Sequence, residues 1–252
     1  MSTTMPLVCG LRAFLTLCTP KMNRYSIITA KRPREIVLLR GRGCGYRKCS
    51  FCDYHLDASP DEAENFALNT AVLDRVTGKY GELEVINSGS VFELDEGTLE
   101  RIGLLCREKG IGVLHFESHW LYRGRIPALR ERFAPVTLKM KLGLETFDYN
   151  FRESVLRKGI GETDPAAIAR DFDEANLLFG VAGQTEKTME RDMALALEHF
   201  ERVCVNVMCP NSTAVKPDSR VIGVFRHRIY PRYIDDPRVD ILMNNTDFGV
   251  GD

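Results

Sequence analysis

The chain has 252 residues, with 34 Lys and Arg against 35 Asp and Glu and a formal net charge of −1. That balance excludes a surface built to grip long nucleic acid, which carries a clear basic excess. Hydrophobic residues make up 44%, enough for the core of one domain of this length. The eight cysteines are too sparse for a disulfide scaffold and point to a reducing cytoplasm.

Taken from the start, the most apolar stretch is MPLVCGLRAFLTLCTP, residues 5–20. It is interrupted by Arg12, falls short of the roughly 20 residues of a spanning helix and lacks a basic n-region. No membrane partner is expected, and residues 1–21 read as an N-terminal extension outside the fold. Residues 22–252 read as a single domain. It opens with MNRYSIITAKRPREIVLLRG, two strands around a Lys-Arg-Pro-Arg turn.

From there the chain alternates between short apolar runs and segments of helical spacing, the signature of a parallel sheet covered by helices. Strands are predicted at 35–40, 83–87, 112–117, 138–145, 176–181 and 203–208. Helices are predicted at 61–80, 95–109, 122–133, 149–158 with 165–172, and 185–201. SPDE at 59–62 and the acid-first TEKTMERDMALALEHF at 185–200 read as capped helix starts. Six strand–helix units fit an α/β partial (β/α)6 barrel better than an open doubly wound sheet. A further run, VDILMNN at 239–245, extends the sheet edge.

The loop after the first of these six strands is GCGYRKCSFCDYHLD, which puts Cys44, Cys49 and Cys52 within nine positions. It stands on the C-terminal side of the sheet, where barrel active sites form. A disulfide takes pairs, and a structural zinc site takes four ligands. One reading is therefore a non-catalytic zinc-binding module completed by His55. The other is a four-iron cluster, in which three thiolates leave one iron open.

The three-cysteine loop resembles the radical SAM superfamily, whose usual spacing has three residues in the first gap where this chain has four. The likeness covers about residues 34–215. It implies a partial TIM-like barrel, a [4Fe-4S] cluster on Cys44, Cys49 and Cys52, and S-adenosyl-L-methionine as cofactor. Reductive cleavage of the cofactor would give a 5′-deoxyadenosyl radical. Phe51 would pack near the adenine. Asn87, Ser88, Gly89 and Ser90, in INSGSVFE, stand where relatives bind the methionyl amine. Glu145, in LGLETFD, would accept from a ribose hydroxyl or the amine, and Arg152, Arg157 and Lys158 would serve the carboxylate. Gly180 and Gly183, in LLFGVAGQT, would allow close approach of backbone to adenine.

CDYHLD, NSGSVFELDE, FESHWLYR, LGLETFD, CVNVMCPNSTAVKPD and NNTDFGVGD further resemble the queuosine 5′-phosphate lyase group across about 22–252. Those enzymes release queuine for salvage; their relatives include archaeosine-forming radical SAM enzymes of tRNA modification, an alternative reading. The resemblance implies a small nucleotide substrate and an electron donor such as flavodoxin or ferredoxin. Glu117 and His119, at the end of the third strand, are substrate-binding candidates, since a carboxylate can accept paired donors from a guanine-like amidine edge. Equally, Glu117 can pair with a neighbouring Arg and His119 can cap the loop. Asn245 and Asp247 are further base-reading candidates, and Arg226 and Arg228 candidates for the 5′-phosphate. Cys204 and Cys209 flank the sixth strand, Cys209 at its C-terminal end.

Overall fold

The computed structural model describes residues 22–244. A hairpin opens it: β1 (Tyr25–Ile28) lies antiparallel on β2 (Arg34–Leu39). The parallel strands follow in chain order: β3 (Glu82–Asn87), β4 (Val113–Ser118), β5 (Thr137–Glu145), β6 (Glu174–Phe179), β7 (Arg202–Val207) and β8 (Val239–Leu242). The order runs from β1 to β8 without reversal, so the sheet is singly wound and the doubly wound alternative is excluded. It is also curled, because Arg34 on β2 reaches Asp240 on β8 at 2.9 Å. Lys31, in the β1–β2 turn, donates to the Val239 carbonyl at 2.7 Å.

The main helices are α1 (Glu62–Leu73), α2 (Glu96–Lys109), α3 (Ile126–Phe133), α4 (Pro165–Ala169) and α5 (Glu186–His199). Four of them, α1, α2, α4 and α5, start at a side-chain cap, whereas α3 has none and carries Pro127 in its first turn. Asp61 accepts from the Glu64 N–H at 2.9 Å, and Thr185 accepts from the Thr188 N–H at 3.2 Å. The predicted helix at 122–133 is split into a 3-10 segment, Trp120–Arg125, and α3. The one at 61–80 ends at Leu73, and the one at 149–158 is a single π turn, Phe151–Val155. Three short helical pieces after β7 were not expected: α6 (Ser219–Val224), a π turn (Phe225–Ile229) and α7 (Tyr230–Tyr233). Among the described residues, no helix is long and apolar enough to cross a membrane.

Strand alternation sorts residues to two environments. Val37, Leu39, Leu83, Val85, Leu114, Phe116, Met140 and Leu142 face outward into one apolar core with the helices. The inward positions near the strand starts are charged. Arg202 bridges Glu174 at 2.8 Å, Glu84 at 3.1 Å and Asp240 at 3.2 Å. Arg34 bonds Glu84 at 2.5 Å, Lys141 also pairs with Glu84, and His115 lies between Glu174 and Glu82 at 2.9 and 2.8 Å. This ionic floor stands where barrels usually stack branched apolar side chains. It also explains why β6 and β7 begin at Glu174 and Arg202, before the predicted apolar runs.

Candidate active site

The loop leaving β2 is held on three sides. Glu93, buried after β3, accepts from the N–H groups of Gly45 and Ser90, both at 2.5 Å, and from the Tyr122 hydroxyl at 2.9 Å. Ser50 N–H donates to the Leu156 carbonyl at 3.0 Å, in the segment after β5. Asn211, after β7, donates to the Phe51 carbonyl at 2.6 Å, and Ser212 N–H donates to Asp53 at 2.9 Å. Gly89 makes the close packing possible: a Cβ there would stand 2.1 Å from Glu93 Oε2 and 3.2 Å from the Cys44 backbone.

Cys44, Cys49 and Cys52 line the mouth of a cavity of about 580 Å³ that descends to Arg34, Glu84 and Lys141. Burial pushes the Cys49 thiol up and Cys52 up to about 12, opposed by the positive Lys158 nearby. His55 is exposed on a 3-10 turn, Tyr54–Asp57, and does not line this cavity. Cys204 on β7 and Cys209 just after it also line the cavity. The loop after β2 itself brings three thiols to the mouth, which suits a cluster with one open iron.

The walls beside the thiols fit S-adenosylmethionine. Asn87 Nδ2 donates to the Ser90 carbonyl at 3.0 Å, while Asn87 Oδ1 and Ser88 Oγ are buried without a hydrogen-bond partner. Two neighbouring unpaired oxygens suit an ammonium group. Glu145 ends β5 at a register shift, with a φ of 72°, and the bulge aims its carboxylate at the Lys158 ammonium, 2.8 Å away. Gly143 leaves room for the pair, since a Cβ there would meet Lys158 Nζ at 2.9 Å. Burial opposes the Lys158 charge, but Glu145 and the thiols outweigh it and raise its pKa. Phe51 also lines the cavity, with Lys158 5.5 Å from its ring centroid.

Several sequence expectations are corrected. Arg157 is exposed and does not line the cavity; its backbone carbonyl accepts from Tyr46, and the adjacent Lys158 is the inward cation. Arg152 is fully buried but donates to the carbonyls of Thr146, Ile160 and Glu162, which fixes the loop. Gly180 and Gly183, with φ of 96° and 99°, do not line the cavity; added Cβ atoms would meet Ile222 and Phe151. Arg226 and Arg228 are exposed and lie off the cavity, because Phe225 and Ile229, four apart, take the buried side of that turn.

Glu117 and His119 both line the cavity. Glu117 accepts from Asn176 Nδ2 at 3.0 Å and lies 3.5 Å from Lys141 Nζ. Both ring nitrogens of His119 are engaged: Nδ1 accepts from the Leu121 N–H at 3.1 Å, and Nε2 donates to the Lys158 carbonyl at 2.9 Å. Burial, reinforced by the Lys158 charge, lowers its pKa to about 4. His119 is therefore a neutral loop cap stacked on Tyr46, whose ring centroid is 4.4 Å away. Asn245 and Asp247 lie outside the described residues. Sequence reasoning missed Lys141 and Asn176, although K-M-K-L and E-A-N-L carry polar residues at alternate positions of apolar runs.

A scan against protein-family models finds no match, and neither does a search of the curated proteins. Among solved structures the fold is similar to a queuine lyase from Clostridium spiroforme bound to SAM and queuine, with 43% sequence identity and a TM-score of 0.87. The match covers 92% of this chain and 100% of that one. More distant likeness, of fold alone, extends to Streptococcus suis SuiB bound to S-adenosylmethionine, at 12% identity and TM-score 0.52, covering 82% of this chain and 49% of that one. It extends also to methylornithine synthase (PylB), at 16% identity and TM-score 0.54, covering 82% of this chain and 63% of that one. With a three-thiol mouth on a curled parallel sheet and this identity over the full length of the relative, the chain belongs to the queuine lyase group of the radical SAM superfamily.

Proposed function

We propose that this chain releases queuine from queuosine 5′-phosphate, in the service of queuine salvage. The observation that carries the reading is that one cavity joins the three thiols at its mouth to Glu117 in its depth. The 43% identity to a protein described as a queuine lyase supports the same substrate class. Cys44, Cys49 and Cys52 would hold a [4Fe-4S] cluster, and the oxygens of Asn87 and Ser88 would take the ammonium of S-adenosylmethionine. When bound, the pair would supply a 5′-deoxyadenosyl radical, the hydrogen-abstracting agent this chemistry needs.

The protein's own contribution is placement. Reacting atoms must be held about 3–3.5 Å apart, and the base is steadied by the depth of the cavity. Glu117, already beside Lys141 and Asn176, accepts from the amidine edge of the deazaguanine. Glu145 and Lys158 form a neutral buried pair beside Cys49 and Cys52. The electron comes from an acidic carrier of the flavodoxin or ferredoxin type, which suits the exposed Arg42, Arg47 and Lys48 on the cluster loop. A cluster on free thiols would need a reducing compartment, which supports a cytoplasmic location.

The test is anaerobic incubation of reconstituted protein with S-adenosylmethionine, reductant and queuosine 5′-phosphate. Free queuine should appear together with 5′-deoxyadenosine, more slowly from the unphosphorylated nucleoside. Cofactor cleavage without queuine from either compound overturns the substrate and leaves the family intact.

A further inference from the structure

Asn176, on β6, lines the depth of the cavity beside Glu117. Its amide is oriented by Nδ2, which donates to Glu117 Oε1 at 3.0 Å. That orientation leaves Oδ1 buried and without a hydrogen-bond partner. Buried acceptors in native proteins are nearly always paired, and one left open is unfavourable until something donates to it. Lys141, paired with Glu117 in the β4–β5 register, brings a buried ammonium to 3.5 Å from the same carboxylate. The depth of the cavity therefore presents one cationic donor and two acceptors side by side.

We propose that Asn176 is a specificity-determining residue, whose Oδ1 accepts from the exocyclic amine of a guanine-type base. Glu117 accepts from the ring N–H, and Lys141 donates to the ring carbonyl. The inference rests on the queuine-releasing reading and adds to it the residue that reads the exocyclic amine. A guanine-type edge offers one acceptor and two donors, the complement of these three side chains. A hypoxanthine-type edge lacks the amine and leaves Oδ1 open. An adenine-type edge turns its amine toward Lys141, donor against donor. A phosphate entering first would meet the Glu117 carboxylate, like charge against like. Sites built to bond a polar group reject ligands that lack it.

The experiment measures dissociation constants by calorimetry, using reconstituted enzyme saturated with S-adenosylmethionine. The ligands are queuine and an analogue lacking only the exocyclic amine. Wild type should prefer queuine by about tenfold or more, as expected for one buried hydrogen bond. Asn176→Leu should reduce that preference below about threefold while cofactor affinity stays unchanged. Asn176→Ala, which removes the same amide without adding bulk, serves if the leucine variant does not fold. Equal wild-type affinity for both bases, or a preference kept by the variants, overturns the assignment. A wild type that binds neither base and releases no queuine overturns the enzymatic reading itself, and this assignment with it.

Discussion

Glu145 and Lys158 show how single side chains set the site. Both are buried, and they pair at 2.8 Å, so removing either leaves the other without its ionic partner. Glu145→Gln is expected to weaken S-adenosylmethionine binding by about ten- to a hundredfold, the value of one charge-assisted hydrogen bond. Calorimetric titration checks it, and unchanged affinity would return Glu145 to a structural role. Replacing Cys44, Cys49 or Cys52 by Ala should abolish cluster binding and cofactor cleavage while the thermal melt stays cooperative. The core that holds the barrel lies on the opposite face of the strands. At this scale the sequence was legible where spacing carries the chemistry, as in the cysteine loop. It was not legible where direction decides: Arg157 and Lys158 are neighbours, and only the backbone, with φ of 52° at Arg157, turns one out and the other in.

Among the elements, the loop after β3 positions the cysteine loop through Glu93. Gly89→Ala would drive a methyl group against Glu93 Oε2 and the Cys44 backbone, displacing both at a cost of about 1–3 kcal/mol. The expected result is lower iron content per chain after reconstitution, measured beside an unchanged far-UV spectrum. Full iron content in that variant would show that the contact does not position the cluster. Strands and most helices were readable from alternation and caps. The segment Ser219–Tyr233 was not, because its charge run masked the buried pair Phe225 and Ile229. The charge run showed residue type, while that pair four apart was the signal for direction.

For the whole molecule, the ionic floor makes stability depend on pH. Burial alone would raise the Glu174 pKa, but the His115 hydrogen bond and Arg202 hold it down to about 2. A carboxylate with a depressed folded pKa contributes stability above its ordinary value of 4.5, and that contribution is lost as pH falls toward about 2. Urea midpoints should therefore drop steeply over that window, and Glu174→Gln should flatten the drop. The variant should also be less stable at pH 7 by about 3–5 kcal/mol, because Arg202 and His115 lose a buried partner. An unaltered acid profile would move the acid sensitivity elsewhere. Reduction by an acidic electron carrier should slow with added salt, and slow further in Arg47→Glu with Lys48→Glu. Reduction by dithionite should respond to neither change. The floor could not be read in advance, because pairs such as Arg34 with Asp240 and Arg202 with Glu84 join strands that meet only when the sheet curls.

That curl has a consequence for synthesis of the chain. Arg34 and Asp240, 2.9 Å apart in the fold, are separated by 206 positions in sequence. Until β8 has emerged and docked, Arg34 and Arg202 each lack one of their carboxylate partners. A nascent or prematurely terminated chain therefore carries uncompensated charge in its interior, which opposes closure. Docking of β8 acts as a check: chains cut short before Asp240 should stay open to proteases, and those that include β8 should become resistant.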